Sequence, residues 1–432
     1  MPLFLSTSDA DFEAKFQALL SQKREDSPDV DHIVAGIIAD VRARGDVALH
    51  ELTAKFDRFD VASAGMRISP GEIARIAATV APEQRDALEL AASRIRAYHE
   101  RQLPQDESWT DEVGATLGWR WGAVDAAGLY VPGGLATYPS SVLMNAVPAK
   151  VAGVKRLVMC VPTPDGVVNP LVMLAAQISG VDEVYRIGGA QAIAALAYGT
   201  ETIAPVDKIT GPGNAFVAAA KRRVFGKVGI DMIAGPSEVV VIADAENDAD
   251  FVALDLLAQA EHDESAQSIL ITDSPEFGRK VAEAVTRLLE TLPRKAIAGA
   301  SWQAHGAVIV TRDLQEAAML SNRIAPEHLE IFTSDPDAVA AQVRHAGAIF
   351  LGAFTAEAIG DYIGGPNHVL PTARSSRFSS GLSVLDFMKR TTLARMTPEA
   401  LRAIGPAAET LAQAEGLDAH GLSIRARLDR LN

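Results

Sequence analysis

From about residue 140 onward the chain alternates, twice over, between short apolar runs and longer amphipathic stretches, and this alternation limits the folds open to it. KRLVMCVP, DEVYRIGG, VDKITGPG and VGIDMIAG have the length and flanking Gly, Pro or Asp of strands. AVPAKVAGV, PLVMLAAQISGV, AQAIAALAYG and NAFVAAAKRRVFG, placed before and between them, read as helices. A second block offers EVVVIAD, SILITD, GAVIVT, HLEIFT and AIFLG as strands, with helices expected near 250–260, 276–292, 314–324, 336–346 and 356–363. Strands joined through helices return to the same end of a sheet and pair in parallel. The expected fold class is α/β: two incomplete Rossmann-like domains with mostly parallel sheets, plus helical N-terminal and C-terminal segments.

The flanks read differently. The first hundred residues are expected to be helical. Ser27-Pro28-Asp29 and Ser69-Pro70-Gly71-Glu72 each set a capping side chain before Pro at the first helical position. Val30, Ile33, Val34, Ile37, Ile38 and Val41 recur at helical spacing. The polar stretch 103–112 ends this region, and GATLGWRWGAVDAAGLYVPGG suggests two short strands. After Phe387 the chain reads as helix again, restarted at Thr397-Pro398-Glu399.

Charge and cysteine content narrow the function. A net charge of −15 repels phosphate backbones and anionic lipid, so no nucleic-acid or membrane partner is expected. The N-terminus lacks the basic start and apolar core of a secretion signal, which makes the cytoplasm the expected location. With Cys160 the sole cysteine, a metal here must be held by histidine, carboxylate or amide oxygen.

Ligands of open βα sheets bind at the carboxyl ends of strands, so residues just after strands are the first candidates. TGPGN (210–214) and IGGAQ (187–191) each follow a strand and open a helix, where backbone N–H groups can meet a pyrophosphate. Each also reads as a plain βα turn. In AQAEHDESAQ, Gln259 and His262 are three apart, a spacing that puts both on one helix face and can begin a metal site; a solvated helix end has the same pattern. APEHLEI sets Glu327 beside His328, two proton-transfer groups of different intrinsic pKa, or an ordinary helix stop with a surface pair. GDYIGGPNHVLPT brings Asp361 and His368 into a stretch stiffened by Gly and Pro, and EGLDAH places Glu415 and His420 near the C-terminus. His32, His50, His99, His305 and His345 read as structural or surface residues.

Taken together and in this order, the motifs resemble the histidinol dehydrogenase family. The carrying segments are YVPGGLATYPSSVLMNAVPAKVAGV, IGGAQAIAALAYGT, DKITGPGNAFVAAAK, IDMIAGPSEVVVIAD, LLAQAEHDESAQ, APEHLEI, GPNHVLPT and EGLDAH, spread over 130–420. The resemblance implies oxidation of L-histidinol through bound L-histidinal to L-histidine, the last step of histidine biosynthesis, with two NAD reduced in sequence. It implies one zinc per subunit with Gln259, His262, Asp361 and His420 as ligands. Substrate contacts would be Ser237, Gln259, His262, His328, Asp361, His368, Glu415 and His420. Tyr130, Gln191 and Asn214 match NAD-contacting positions, and Glu327 and His328 match the acid–base pair. It also implies a homodimer in which the tail reaches the partner's site.

The organisation expected is a helical segment over 1–25, a first α/β domain built from 26–128 and 238–380 with the zinc and catalytic residues, a second Rossmann-like domain over 129–237 on the NAD side, and a helical tail over 381–432. The rival within the same chemistry is a zinc and NAD dehydrogenase of another polar alcohol, such as a sulfonated diol. From other classes, the rivals are a zinc hydrolase using Glu327 and a metal-bound water, which predicts no NAD reduction, and a non-catalytic metal-binding module.

Overall fold

A computed structural model describes residues 2–21, 28–133, 138–233 and 235–431. Ser27 of the first helix-start signal, and 134–137 within YVPGGLATYP, lie outside the described residues. The strands, in chain order, are β1 (Leu3–Ser6), β2 (Arg67–Ile68), β3 (Glu107–Thr110), β4 (Thr116–Ala123), β5 (Ala126–Tyr130), β6 (Arg156–Cys160), β7 (Glu183–Tyr185), β8 (Lys208–Thr210), β9 (Gly229–Ile230), β10 (Glu238–Ala243), β11 (Gln267–Thr272), β12 (Ala307–Val310), β13 (His328–Phe332), β14 (Ala348–Leu351) and β15 (Met388–Arg395).

Two six-stranded sheets result. One has the order β1-β12-β11-β10-β13-β14 and is parallel throughout. The other has the order β2-β7-β6-β5-β8-β9 and is parallel except where β2 meets β7. A small antiparallel sheet, β15-β4-β3, stands beside them. Every side chain of β10 is buried, as a parallel strand covered by helices on both faces requires. The helix Pro275–Leu289 has the complementary pattern, with Phe277, Val281, Ala284 and Val285 buried along one stripe. Ser274 caps it, its hydroxyl accepting the Phe277 N–H at 3.2 Å. The α/β class with mostly parallel sheets is therefore as expected.

Three details correct the sequence reading. The segment 26–128 was expected beside 238–380, yet β2 pairs with β7, and Val34, Ile38 and Val41 pack against Ile193 and Leu196 of the other sheet's helical layer. The reason is burial: that apolar stripe needs an apolar partner, and the alanine-rich helix Gly189–Tyr198 supplies one. The segment 1–25 opens with a strand, β1, which completes the edge of the 238–351 sheet through β12. Four residues are too few for a periodic signal. The polar stretch 103–112 and the tail likewise contain strands, β3 and β15, whose mostly exposed polar side chains gave no apolar alternation to read. Among the described residues no helix is long and apolar enough to cross a membrane.

The two large sheets use opposite ends. Tyr130 ends β5, and the turns 187–191 and 210–214 follow β7 and β8, so these candidates lie at carboxyl ends as expected. Ser237, Glu327 and His328 instead lie where β10 and β13 begin. For this second group the carboxyl-end expectation fails.

Candidate active site

Ala325 ends the helix Leu314–Ile324 in the left-handed region (φ 52°), and Pro326 blocks further helix, so the chain drops directly into β13. Glu327 and His328 thereby reach the amino end of β10, and both are tied to the main chain of Glu238. Oε2 of Glu327 accepts the Glu238 N–H at 2.9 Å. Nδ1 of His328 lies 3.1 Å from the Glu238 carbonyl oxygen. A carbonyl only accepts, so Nδ1 carries the ring proton and Nε2 presents its lone pair. Nε2 has no hydrogen-bond partner among the described residues and lies 4.0 Å from Oδ1 of Asp361. Burial pushes the ring's pKa down to about 4, against the opposing pull of Asp361. At neutral pH His328 is an uncharged base.

Glu357 and Asp361 lie one turn apart on the short helix Glu357–Tyr362 and face the same imidazole. Glu357 Oε1 is 3.4 Å from His328 Nδ1, and one ligand atom each from His328, Glu357 and Asp361 fall within 4.8 Å of one another. Burial, followed by the charges of Asp361, Glu330, Glu327 and Asp255, pushes the Glu357 carboxyl well above the usual range. Its backbone N–H donates to Glu330 Oε1 at 2.7 Å, and Glu330 is raised in turn by burial and by Asp255. Acids so placed keep their protons, because ionising in a low-dielectric interior costs more.

His368 closes the far side. Its Nδ1 donates to the Asp361 carbonyl oxygen at 2.9 Å, its Nε2 lies 3.5 Å from the Ser141 hydroxyl, and burial lowers its pKa. A cavity of about 650 Å³ opens onto His328, Asp361 and His368, with Tyr98, Phe350 and Leu385 among its walls. That suits a small ligand held by a few polar groups.

The candidate metal ligands divide. Asp361 is in the cluster. Gln259 is fully buried on the helix Ala249–Ala260, which packs against the helix of Asp361, and neither of its amide atoms has a partner among the described residues. Each buried polar atom left this way costs about 1–3 kcal/mol, and a ligand to the amide oxygen would recover the oxygen's share. His262, in the turn after that helix, is exposed and within electrostatic reach of His328 and His368. An amide oxygen, imidazoles and a carboxylate form a donor set that fits zinc. His420 and Glu415 are not brought in. Glu415 caps the end of the helix Pro398–Ala414 and His420 lies on the helix Asp418–Leu428; both are exposed, with no hydrogen bond or ion pair to the cluster among the described residues. Ser237, half-buried just ahead of β10, gives its carbonyl to the Gln267 N–H at 3.0 Å.

At the other sheet, the Tyr130 hydroxyl accepts the Gly189 N–H at 3.1 Å, and burial raises its pKa to about 12. Gln191 is buried in the helix Gly189–Tyr198. Asn214 caps the helix Ala215–Val224, its Oδ1 accepting the N–H groups of Phe216 at 3.1 Å and Val217 at 3.2 Å. A Cβ on Gly188 would lie 2.5 Å from Pro162, so this turn keeps a bare backbone surface, which suits a dinucleotide. Cys160 is buried with its thiol pKa raised, in keeping with a structural role. Sequence reasoning missed Glu330, Glu357 and Asp255. The signals were an acid inside the apolar strand HLEIF, and an acid four residues before Asp361. His99, read only as structural or surface, proves wholly buried, its Nδ1 bonded to the Ile95 carbonyl oxygen at 2.7 Å.

A base kept neutral by burial, beside acids that hold their protons, belongs to an enzyme that moves protons on a bound substrate. A family model for histidinol dehydrogenase matches residues 20–428. The histidinol dehydrogenase of Ruegeria pomeroyi is 75% identical over 432 residues, and that of Cereibacter sphaeroides 72% identical over 432, each alignment covering both chains completely. The crystal structure of histidinol dehydrogenase from Elizabethkingia anophelis superposes with a TM-score of 0.95 at 36% identity, covering 100% of this chain and 99% of that one. The chain belongs to the histidinol dehydrogenase family, and is an oxidoreductase of histidine biosynthesis.

Proposed function

We propose that this chain oxidises L-histidinol through enzyme-bound L-histidinal to L-histidine, reducing two NAD, with one zinc per subunit. Gln259, His262 and Asp361 would hold the metal, joined by His420 from the partner of a homodimer. Tyr130, Gln191 and Asn214 would contact the dinucleotide. Zinc supplies a Lewis-acid anchor for the substrate's imidazole and amine, and NAD the hydride acceptor. The rest falls to the chain. Ser237, His368 and the partner's Glu415 would orient the amino alcohol. Nε2 of His328 takes the hydroxyl proton as the carbinol carbon loses hydride. The aldehyde must then gain water, because only its hydrate has a second hydride to give. Glu327 removes a proton from that water while His328 returns the proton it took to the aldehyde oxygen, which completes the hydrate and leaves Nε2 free to accept the hydrate's hydroxyl proton in the second oxidation.

The observation that carries this reading is the His328 ring: buried, neutral, and with its proton fixed on Nδ1 by the Glu238 carbonyl, so that Nε2 stands ready to accept. The same reading implies the cytoplasm, where NAD is available and a lone thiol stays reduced. Absorbance of NADH on mixing zinc-loaded protein, NAD and histidinol tests it. Reduction of NAD with a sulfonated diol but not with histidinol would transfer the reading to another polar alcohol. No reduction with either, together with hydrolase activity, would leave a zinc hydrolase.

A further inference from the structure

The turn that carries Asn214 is anchored in an unusual way. Gly211 follows β8 with φ 114°, and a Cβ there would lie 2.0 Å from the Tyr130 carbonyl oxygen, so only glycine fits. Both peptide groups of Gly211 are held by side chains. Its N–H donates to Oδ2 of Asp231 at 2.8 Å, and its carbonyl accepts from Nζ of Lys221 at 3.0 Å. Lys221 and Asp231 are ion-paired with each other, their side chains only 3% and 1% exposed. Lys221 comes from the last turn of the helix that Asn214 caps, and Asp231 directly follows β9. One glycine is thus gripped from the helix and from the sheet edge at once.

A buried ion pair is weak evidence for stability, since apolar residues of similar volume often serve as well. What apolar residues cannot do is hold both an N–H and a carbonyl of a turn. Pro212 fixes the next φ, so the direction in which the chain leaves Gly211 sets where Gly213 and Asn214 point. We propose that Lys221 and Asp231 are positioning residues for the dinucleotide, acting through Gly211 to aim the Gly213–Asn214 backbone and the Asn214 side chain at it. This rests on the reading of Asn214 as an NAD contact.

The test is the double substitution Lys221→Met with Asp231→Leu, which removes both charges together and leaves Tyr130, Gln191 and Asn214 unchanged. NAD binding to the zinc-loaded protein is measured by titration calorimetry, alongside steady-state kinetics and thermal melting. The dissociation constant for NAD rises about tenfold, while the histidinol KM and the kcat at saturating NAD stay within about twofold. Lys221→Arg, which keeps a cationic donor for Gly211 and Asp231, stays near the wild-type constant. An unchanged NAD constant in the double variant overturns the proposal, as does a parallel rise in the NAD constant and the histidinol KM, the mark of general loosening. If the double variant does not fold, Asp231→Asn is read instead, with about a threefold rise expected and no rise contradicting the proposal. Asn214→Ala is run in parallel. If it weakens NAD binding and the double variant does not, the clamp alone is wrong; if neither does, Asn214 is not an NAD contact and the clamp falls with it.

Discussion

Nδ1 of His328 lies 3.1 Å from the carbonyl oxygen of Glu238, and this contact decides which nitrogen of the ring can act as a base. The same residue's N–H holds Glu327, so one residue of β10 orients both side chains. His328→Asn should lower kcat for histidinol and for histidinal alike, by about 10²–10⁴-fold. Glu327→Gln should impair histidinal oxidation more than histidinol oxidation, because only the second step needs an activated water. Steady-state kinetics with each substrate check this. A Glu327→Gln enzyme that handles histidinal normally would contradict the division of roles.

Gln259 has no partner for its amide among the described residues, which gives a prediction with two opposite signs. Gln259→Met should reduce the zinc retained after dialysis, measured by elemental analysis. The same change should leave the metal-free protein as stable as wild type or more so, by up to about 1–3 kcal/mol, since an unsatisfied buried amide is removed. Metal-free protein that is destabilised by the change would mean that the amide has a protein partner.

Asp255, Glu330 and Glu357 set a pH dependence of stability. Burial raises Asp255 to about 6 and raises Glu330 and Glu357 well above the usual carboxylate range, with Glu327 just ahead of β13, His328 at its start and Asp361 on the helix of Glu357 all close to that carboxyl. Folded values above the unfolded ones mean that this contribution is fully present below about pH 4 and is lost as pH rises through about 6 and beyond. Glu330→Gln cannot ionise, so its melting temperature relative to wild type should rise between about pH 5 and about pH 8, by roughly 1 °C for each kcal/mol recovered. A constant offset across that range would contradict the assignment.

His420 and Glu415 lie exposed at the terminal helices, away from the His328 cluster, and under the proposed homodimer they would serve the partner's site. If His420 acts across a homodimer interface, mixing equal amounts of Glu327→Gln and His420→Asn chains should recover about a quarter of wild-type activity, because about half the dimers are mixed and each has one intact site. No recovery, with subunit exchange shown independently, would mean that the tail serves its own chain.

The parallel-sheet core was legible because its strands are apolar runs between helices, and β10, EVVVIA, is buried at every position. Strand β15, MKRTTLAR, was not, since its pairing with β4 rests on backbone hydrogen bonds and leaves its polar side chains outside. The grouping of 26–128 failed for a related reason: an apolar stripe announces that it will be buried, not against which sheet. At the site, APEHLEI drew attention to Glu327 and His328 through adjacency. Glu330 and Glu357 look like ordinary surface acids until the fold buries them. Only the fold brings His328 of β13 to within 4.0 Å of Asp361, thirty-three positions later in the chain.

The central claim is that one site, with His328 as its base, carries histidinol through two oxidations. The direct measurement is stoichiometry: a limiting amount of histidinol is consumed to completion by zinc-loaded protein in excess NAD, with NADH followed by absorbance and the product by chromatography. The account predicts two NADH and one histidine for each histidinol. One NADH per histidinol with free aldehyde accumulating, or full turnover by rigorously metal-free protein, would contradict it.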